Sequence, residues 1–65
     1  MQIKINGQEK QITENLTVAQ LLTELDLKGP LAVERNREIC PKTQHQTTPI
    51  QPGDILEIVT IVGGG

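Results

Sequence analysis

One cysteine and one histidine, Cys40 and His45, stand five residues apart, and the chain has no serine. A cysteine beside a histidine can be a nucleophile with its base. Here no third group at a readable spacing would orient the imidazole. Cys40 therefore reads as a small packing residue and His45 as a solvated loop residue. Glu34, Glu38, Asp54 and Glu57 are scattered over strands and turns and read as a solvated charged surface, not as a paired acid and base. Cys and His spacing fits no zinc site. On this reading the chain carries no catalytic residues and no metal.

The remaining chemical feature is Gly63-Gly64-Gly65. Glycine has no side chain, so such a strip of backbone can enter a cleft too narrow for other residues. From Val62 to Gly65 the extended reach is about 13 Å, at roughly 3.3 Å per residue. A terminal α-carboxylate has a pKa of about 3.5, so at neutral pH it is ionised and a poor electrophile. Converted to a mixed anhydride with AMP, it gains a leaving group that a sulfur nucleophile can displace, leaving a thiocarboxylate. No group for that activation is visible in the chain. Gly65 is then the sulfur acceptor, Gly63 and Gly64 serve its entry into a partner's cleft, and the chain is a carrier and cosubstrate.

Composition bounds what else is open. With 65 residues the chain forms one domain, read as residues 1–62 with a flexible glycine tail at 63–65. A single cysteine permits no intrachain disulfide, which fits a reducing compartment. A net charge of −2 and the absence of aromatic residues argue against nucleic-acid binding. The opening MQIKING has no signal-peptide character, and the nearly apolar run from Ile55 to Val62 is too short to span a bilayer. The expectation is a soluble cytoplasmic protein, monomeric when free and not held at a membrane.

The elements that would position the tail follow from pattern. Met1, Ile3 and Ile5 alternate with polar residues, as in a half-buried strand. Asn6-Gly7 is a hairpin signal, leading to a polar edge strand over residues 8–13 with Ile12 inward. Thr17 and Gln20 form a capping box, and Leu16 and Leu21 a hydrophobic staple. Val18, Leu21, Leu22 and Leu25 share one face of a helix expected over residues 18–27, ended by Lys28-Gly29-Pro30. Residues 31–36 read as a strand, Asn36-Arg37-Glu38 as a turn, and Ile39-Cys40 as a short extended edge piece before Pro41. Residues 42–51 look structureless apart from Ile50, an anchor to the core. After a turn at Pro52-Gly53-Asp54, residues 55–62 are apolar on both faces, as in a central strand. Leu56 and Ile58 should face the helix, with Glu57, Val59 and Ile61 on the open side. Val59, Ile61 and Val62 then form a partner-docking patch beside the tail, unless the polar loop covers it. The fold class is α+β: a mixed sheet of four to five strands with one helix on one face, the last strand beside the first, in the β-grasp layout.

These residues resemble a known family. I-x-I-N-G at the start, L-T-V-x-x-L-L at Leu16 to Leu22, A-V-x-x-N-x-x-I-x-P-K at Ala32 to Lys42, G-D-I-L-E-I-V at Gly53 to Val59 and the glycine tail together are similar to the ThiS family of ubiquitin-like sulfur carriers. Cys40 stands where the family commonly has an aliphatic residue, Lys42 where arginine is frequent, and the tail has three glycines where two suffice. The resemblance implies that a ThiF-like enzyme uses ATP to adenylate Gly65, and that the thiocarboxylate passes sulfur to a ThiG-like thiazole synthase in thiamine biosynthesis. No cofactor is expected on the chain itself. Three alternatives stay open: a carrier like the small subunit of molybdopterin synthase, whose chains are longer and carry an extra helical insertion; a ubiquitin-like protein modifier; and a non-catalytic β-grasp binding module.

Overall fold

A computed structural model describes residues 1–61. The order along the chain is β1 (Gln2–Ile5), β2 (Gln8–Gln11), α1 (Val18–Glu24), β3 (Leu31–Arg35), β4 (Glu38–Cys40), a 3₁₀ turn (Lys42–Gln44) and β5 (Ile55–Thr60). The strands form one mixed sheet in the order β2-β1-β5-β3-β4. β5 runs parallel to β1 and antiparallel to β3, so the last strand is central, and β2 and β4 are the edges. This is the β-grasp arrangement, α+β with five strands and one helix.

The core is aliphatic. Ile3 and Ile5 of β1, Ile12, Val18, Leu21 and Leu22 of α1, Val33, Ile50, and Leu56 and Ile58 of β5 are buried together. Leu21 and Leu56 are fully buried, at 0% exposure. The period-two and helical spacings thus mark the core faces correctly. β2 is exposed throughout, as suits a polar edge. Its neighbour Ile12 is the inward residue.

Both hairpin turns use left-handed backbone. Asn6 and Gly7 have φ of 50° and 83°, which an Asn-Gly turn takes readily. Asn6 does more than turn. Its side-chain amide donates to the carbonyl of Ile58 (3.0 Å) and accepts from the N–H of Ile58 (2.8 Å). It stands in for the strand residue that β1, having turned away, cannot supply. Asn36 and Arg37 make the second turn, with φ of 52° and 70°.

The capping box forms as expected: Thr17 Oγ1 accepts from Gln20 N–H, and Gln20 Oε1 accepts from Thr17 N–H. The polar stretch after Pro41 is not structureless. It crosses the start of α1, where Thr48 O accepts from Val18 N–H and His45 O from Ala19 N–H. Loop and cap together satisfy the donors that a helix start leaves open. Ile50 is buried, as expected, and its N–H donates to Leu16 O. The helix ends at Glu24, short of residue 27. Asp26 takes φ of 58°, and the N–H groups of Asp26 and Leu27 turn back to Thr23 O and Leu22 O. That is a Schellman ending built on aspartate, not on Gly29.

Candidate functional site

β5 carries the chain from the turn at Pro52-Gly53-Asp54 to Thr60, one residue before the last described residue. Its alternation places Leu56 and Ile58 against the helix and Ile55, Glu57 and Val59 on the open face of the sheet, while Ile61, one residue past the strand, is exposed and borders a cleft with Leu22, Leu27 and His45. Val59 is 59% exposed and Ile61 55%. The polar loop therefore does not cover them; it is spent on the start of α1. Ile61 N–H donates to Pro30 O (2.9 Å), which fixes the backbone at the point from which the tail departs. Val62, Gly63, Gly64 and Gly65, the outer part of the docking patch and the whole proposed entry segment, lie outside the described residues.

At the other end of β5, Asp54 corrects the sequence reading. It is buried rather than solvated. Its carboxylate accepts from Arg35 Nε (2.7 Å), Asn36 Nδ2 (3.1 Å) and the N–H of Gln51 (2.8 Å). Burial alone raises its pKa, but the Gln51 N–H, the Asn36 amide and the Arg35 guanidinium together hold it below the ordinary 3.8. Asn36 also accepts from Ile55 N–H through Oδ1. The cluster ties the β3–β4 turn to the start of β5 and sets where the central strand begins. Every polar group of Asp54 is committed within the fold, so it offers no free acid or base.

His45 is a second correction. It is 8% exposed rather than solvated, and its Nε2 lies 3.0 Å from the carbonyl oxygen of Cys40. The contact joins imidazole to backbone, not to thiol. The buried Cys40 sulfur donates instead to Thr48 Oγ1 at 3.7 Å. The structure thus brings Cys40 and His45 together as loop packing, without the geometry of a nucleophile and its base. Cys40→Val should accordingly leave sulfur acceptance unchanged and stability within about 1 kcal/mol of wild type. Intact-mass analysis and urea unfolding check this; a folded variant that accepts no sulfur would restore a role for the thiol.

Among the described residues no group of His, Cys, Asp and Glu could hold a metal ion. No described helix is long and apolar enough to cross a membrane. A cleft of about 600 Å³ lies at the start of β5 beside Met1, Glu9 and Pro52. A smaller one of about 280 Å³ is lined by Ile61 and Pro30, with Lys28 and Lys42 also on its wall.

Residues 3–65 match the model of the ThiS family. The chain is 44% identical over 66 residues to a thiazole synthase of Paramagnetospirillum magneticum, a match that covers 100% of this chain and 20% of that protein. It thus spans a fifth of that relative. It is 34% identical to the sulfur carrier protein ThiS of Bacillus subtilis, covering 97% of this chain and 98% of that one. Among solved structures it resembles the thiamine biosynthesis protein ThiS of Geobacter metallireducens, with a TM-score of 0.87 and 29% identity over 100% of both chains.

Proposed function

The chain belongs to the ThiS family, and from that premise we propose that it carries sulfur for thiamine biosynthesis on the carboxylate of Gly65. It acts as a cosubstrate and not as a catalyst. The observation that carries the reading is the family match through residue 65, which includes Gly63 and Gly64.

In the proposed sequence, a carboxylate oxygen of Gly65 attacks the α-phosphorus of ATP within a ThiF-like enzyme. Pyrophosphate leaves, and an acyl adenylate remains. A sulfur nucleophile then displaces AMP, and Gly65 becomes a thiocarboxylate. The domain's own part is mechanical. The committed hydrogen bonds of Asp54 and Asn6 hold β5 in register, and the Ile61–Pro30 bond holds its end. Val59 and Ile61 present exposed apolar surface on which the enzyme docks, and Val62 is the next residue assigned to the same contact. A ThiG-like thiazole synthase is the proposed sulfur acceptor, supported by the relative in which a stretch like this chain forms part of a thiazole synthase. ATP belongs to the activating enzyme.

The test is intact-protein mass after incubation with a ThiF-like enzyme, ATP and a sulfide donor. The chain should gain the mass of one oxygen replaced by sulfur; no gain with an active enzyme overturns the carrier reading. Ile61→Asp should raise the Kd for that enzyme about tenfold or more, since a buried interface anchor is worth over about 1 kcal/mol. Its unfolding midpoint should stay at the wild-type value, because Ile61 is outside the core. Unchanged affinity would remove Ile61 from the docking surface.

A further inference from the structure

The open face of the sheet is not uniformly apolar. Glu57 lies between Ile55 and Val59 on that face of β5, and directly across the ladder from it stands Glu34 of β3. Beyond Glu34, on β4, is Ile39. Ile39 is 69% exposed, Ile55 49% and Val59 59%, so the three border the two carboxylates with accessible aliphatic surface. Among the described residues neither glutamate side chain takes part in an ion pair or a hydrogen bond. Lys4 shares the face, but its own cross-strand partner on β2 is Glu9.

Like charges directly opposite on paired strands destabilise a sheet. The apolar surroundings add to this, because they leave less water to screen the pair. The free domain thus holds, at the middle of its central strand, a pair that works against its own stability. Features that conflict with the fold in this way concentrate at functional sites. A partner that set a cation between the two carboxylates would turn the repulsion into two charge-assisted hydrogen bonds. Guanidinium suits the place better than ammonium. Its planar fork offers donors to both acids at once, and it is more weakly hydrated, so it enters an apolar ring at lower cost. The chain's net charge of −2 favours the approach of a basic surface at longer range.

We propose that Glu34 and Glu57 are the charged centre of the docking face, and that the surface covering it presents an arginine bordered by aliphatic side chains. The proposal rests on the carrier reading above and assigns this surface to the ThiF-like enzyme. It extends the docking patch from the tail across β5 and β3 to Ile39. The glutamates act in recognition only and touch no reacting atom.

The consequence has opposite signs in the free and bound protein. The double variant Glu34→Gln, Glu57→Gln should unfold at a higher denaturant midpoint than wild type, because the repulsion is gone. It should bind a purified ThiF-like enzyme at least about tenfold more weakly. Added salt should weaken wild-type binding, and the double variant's binding should respond much less. A double variant that binds as tightly as wild type with the same salt dependence overturns the proposal, and so does one less stable than wild type. Sedimentation of the free chain provides a further arm: self-association abolished by the double variant would show that a second copy, not the enzyme, fits the face. Thiocarboxylate formation is read in the same samples with enzyme far above its Kd. There both proteins should be converted. Failure of wild type at that step counts against the carrier reading itself, whereas conversion of both with equal affinities counts against the glutamates alone.

Discussion

One residue added after Gly65 should abolish thiocarboxylate formation and leave the unfolding transition where it is in wild type. The Gly65 carbonyl then belongs to an amide with no ionisable oxygen to attack ATP, and the new terminal carboxylate lies about 3.3 Å beyond the reacting position. The domain should not register the change, since its buried hydrophobic residues lie between Ile3 and Ile58. Deleting Gly65 makes a sharper comparison. Gly64 then offers a carboxylate of the same chemistry, but about 3.3 Å short of its place. Misplacement by 1 Å can cost on the order of a hundredfold in rate, so the deletion should be slow rather than silent by a chemical rule. Gly64→Ala asks whether the cleft needs bare backbone. The measurement is the rate of mass gain for each variant with a ThiF-like enzyme, ATP and sulfide. A thiocarboxylate on the extended chain would sink the assignment to Gly65, and a deletion variant as fast as wild type would show that tail length does not matter.

What the sequence displayed of this design was its local part. The alternation of β1, the Asn-Gly turn and the Thr17–Gln20 box each act within a few residues, and each formed as read. The two faces of β5 were also legible, because period-two patterning survives in a central strand. The misreadings share a different cause. Asp54 reads as surface in the sequence because its partners Arg35 and Asn36 are distant along the chain; only the register of β5 against β3 brings them together. His45 reads as solvated in the sequence because the stretch around it has no periodicity. Its placement is decided by the start of α1, which needs acceptors that Thr48 and His45 supply from across the fold. The helix stops early because Asp26 accepts a left-handed conformation that glycine three residues later also favours. Nothing in composition separated these two endings. Asn6 was read as a turn residue, which it is. That its amide would also replace a strand residue beside Ile58 follows only once β1 and β5 are parallel neighbours.

The same long-range cluster gives the largest stability effect expected in the domain. Asp54→Ala should cost about 3–5 kcal/mol, the range for removing one partner of a buried charged pair. The Arg35 side chain is 28% exposed, so water recovers part of its solvation, and the lower end of that range is the better expectation. The loss extends beyond the ion pair, since the Gln51 N–H and the Asn36 amide also lose their acceptor. A domain of 65 residues has about 3–10 kcal/mol in all. The variant should therefore unfold at a markedly lower urea midpoint than wild type. Asp54→Asn separates shape from charge, because one amide oxygen can still accept at reduced strength. Its pH behaviour gives the sign. The folded pKa of Asp54 lies below its ordinary 3.8. The stability it contributes is thus fully present above that value and is lost as the pH falls through the folded pKa. Wild type should weaken relative to Asp54→Asn only below about pH 4, with a constant gap between them near neutrality. Urea unfolding of both proteins over that interval checks it, the difference cancelling the other carboxylates. A gap that stays constant into acid, or an alanine variant within about 0.5 kcal/mol of wild type, would mean that the cluster does not set the start of β5. The carrier chemistry should be spared in whatever fraction folds, since Asp54 sits at the far end of β5 from Ile61. The Asp54→Asn protein should accept sulfur at the wild-type rate once enzyme saturates it, and a slower rate in that folded variant would place the cluster in the path of docking as well as of folding.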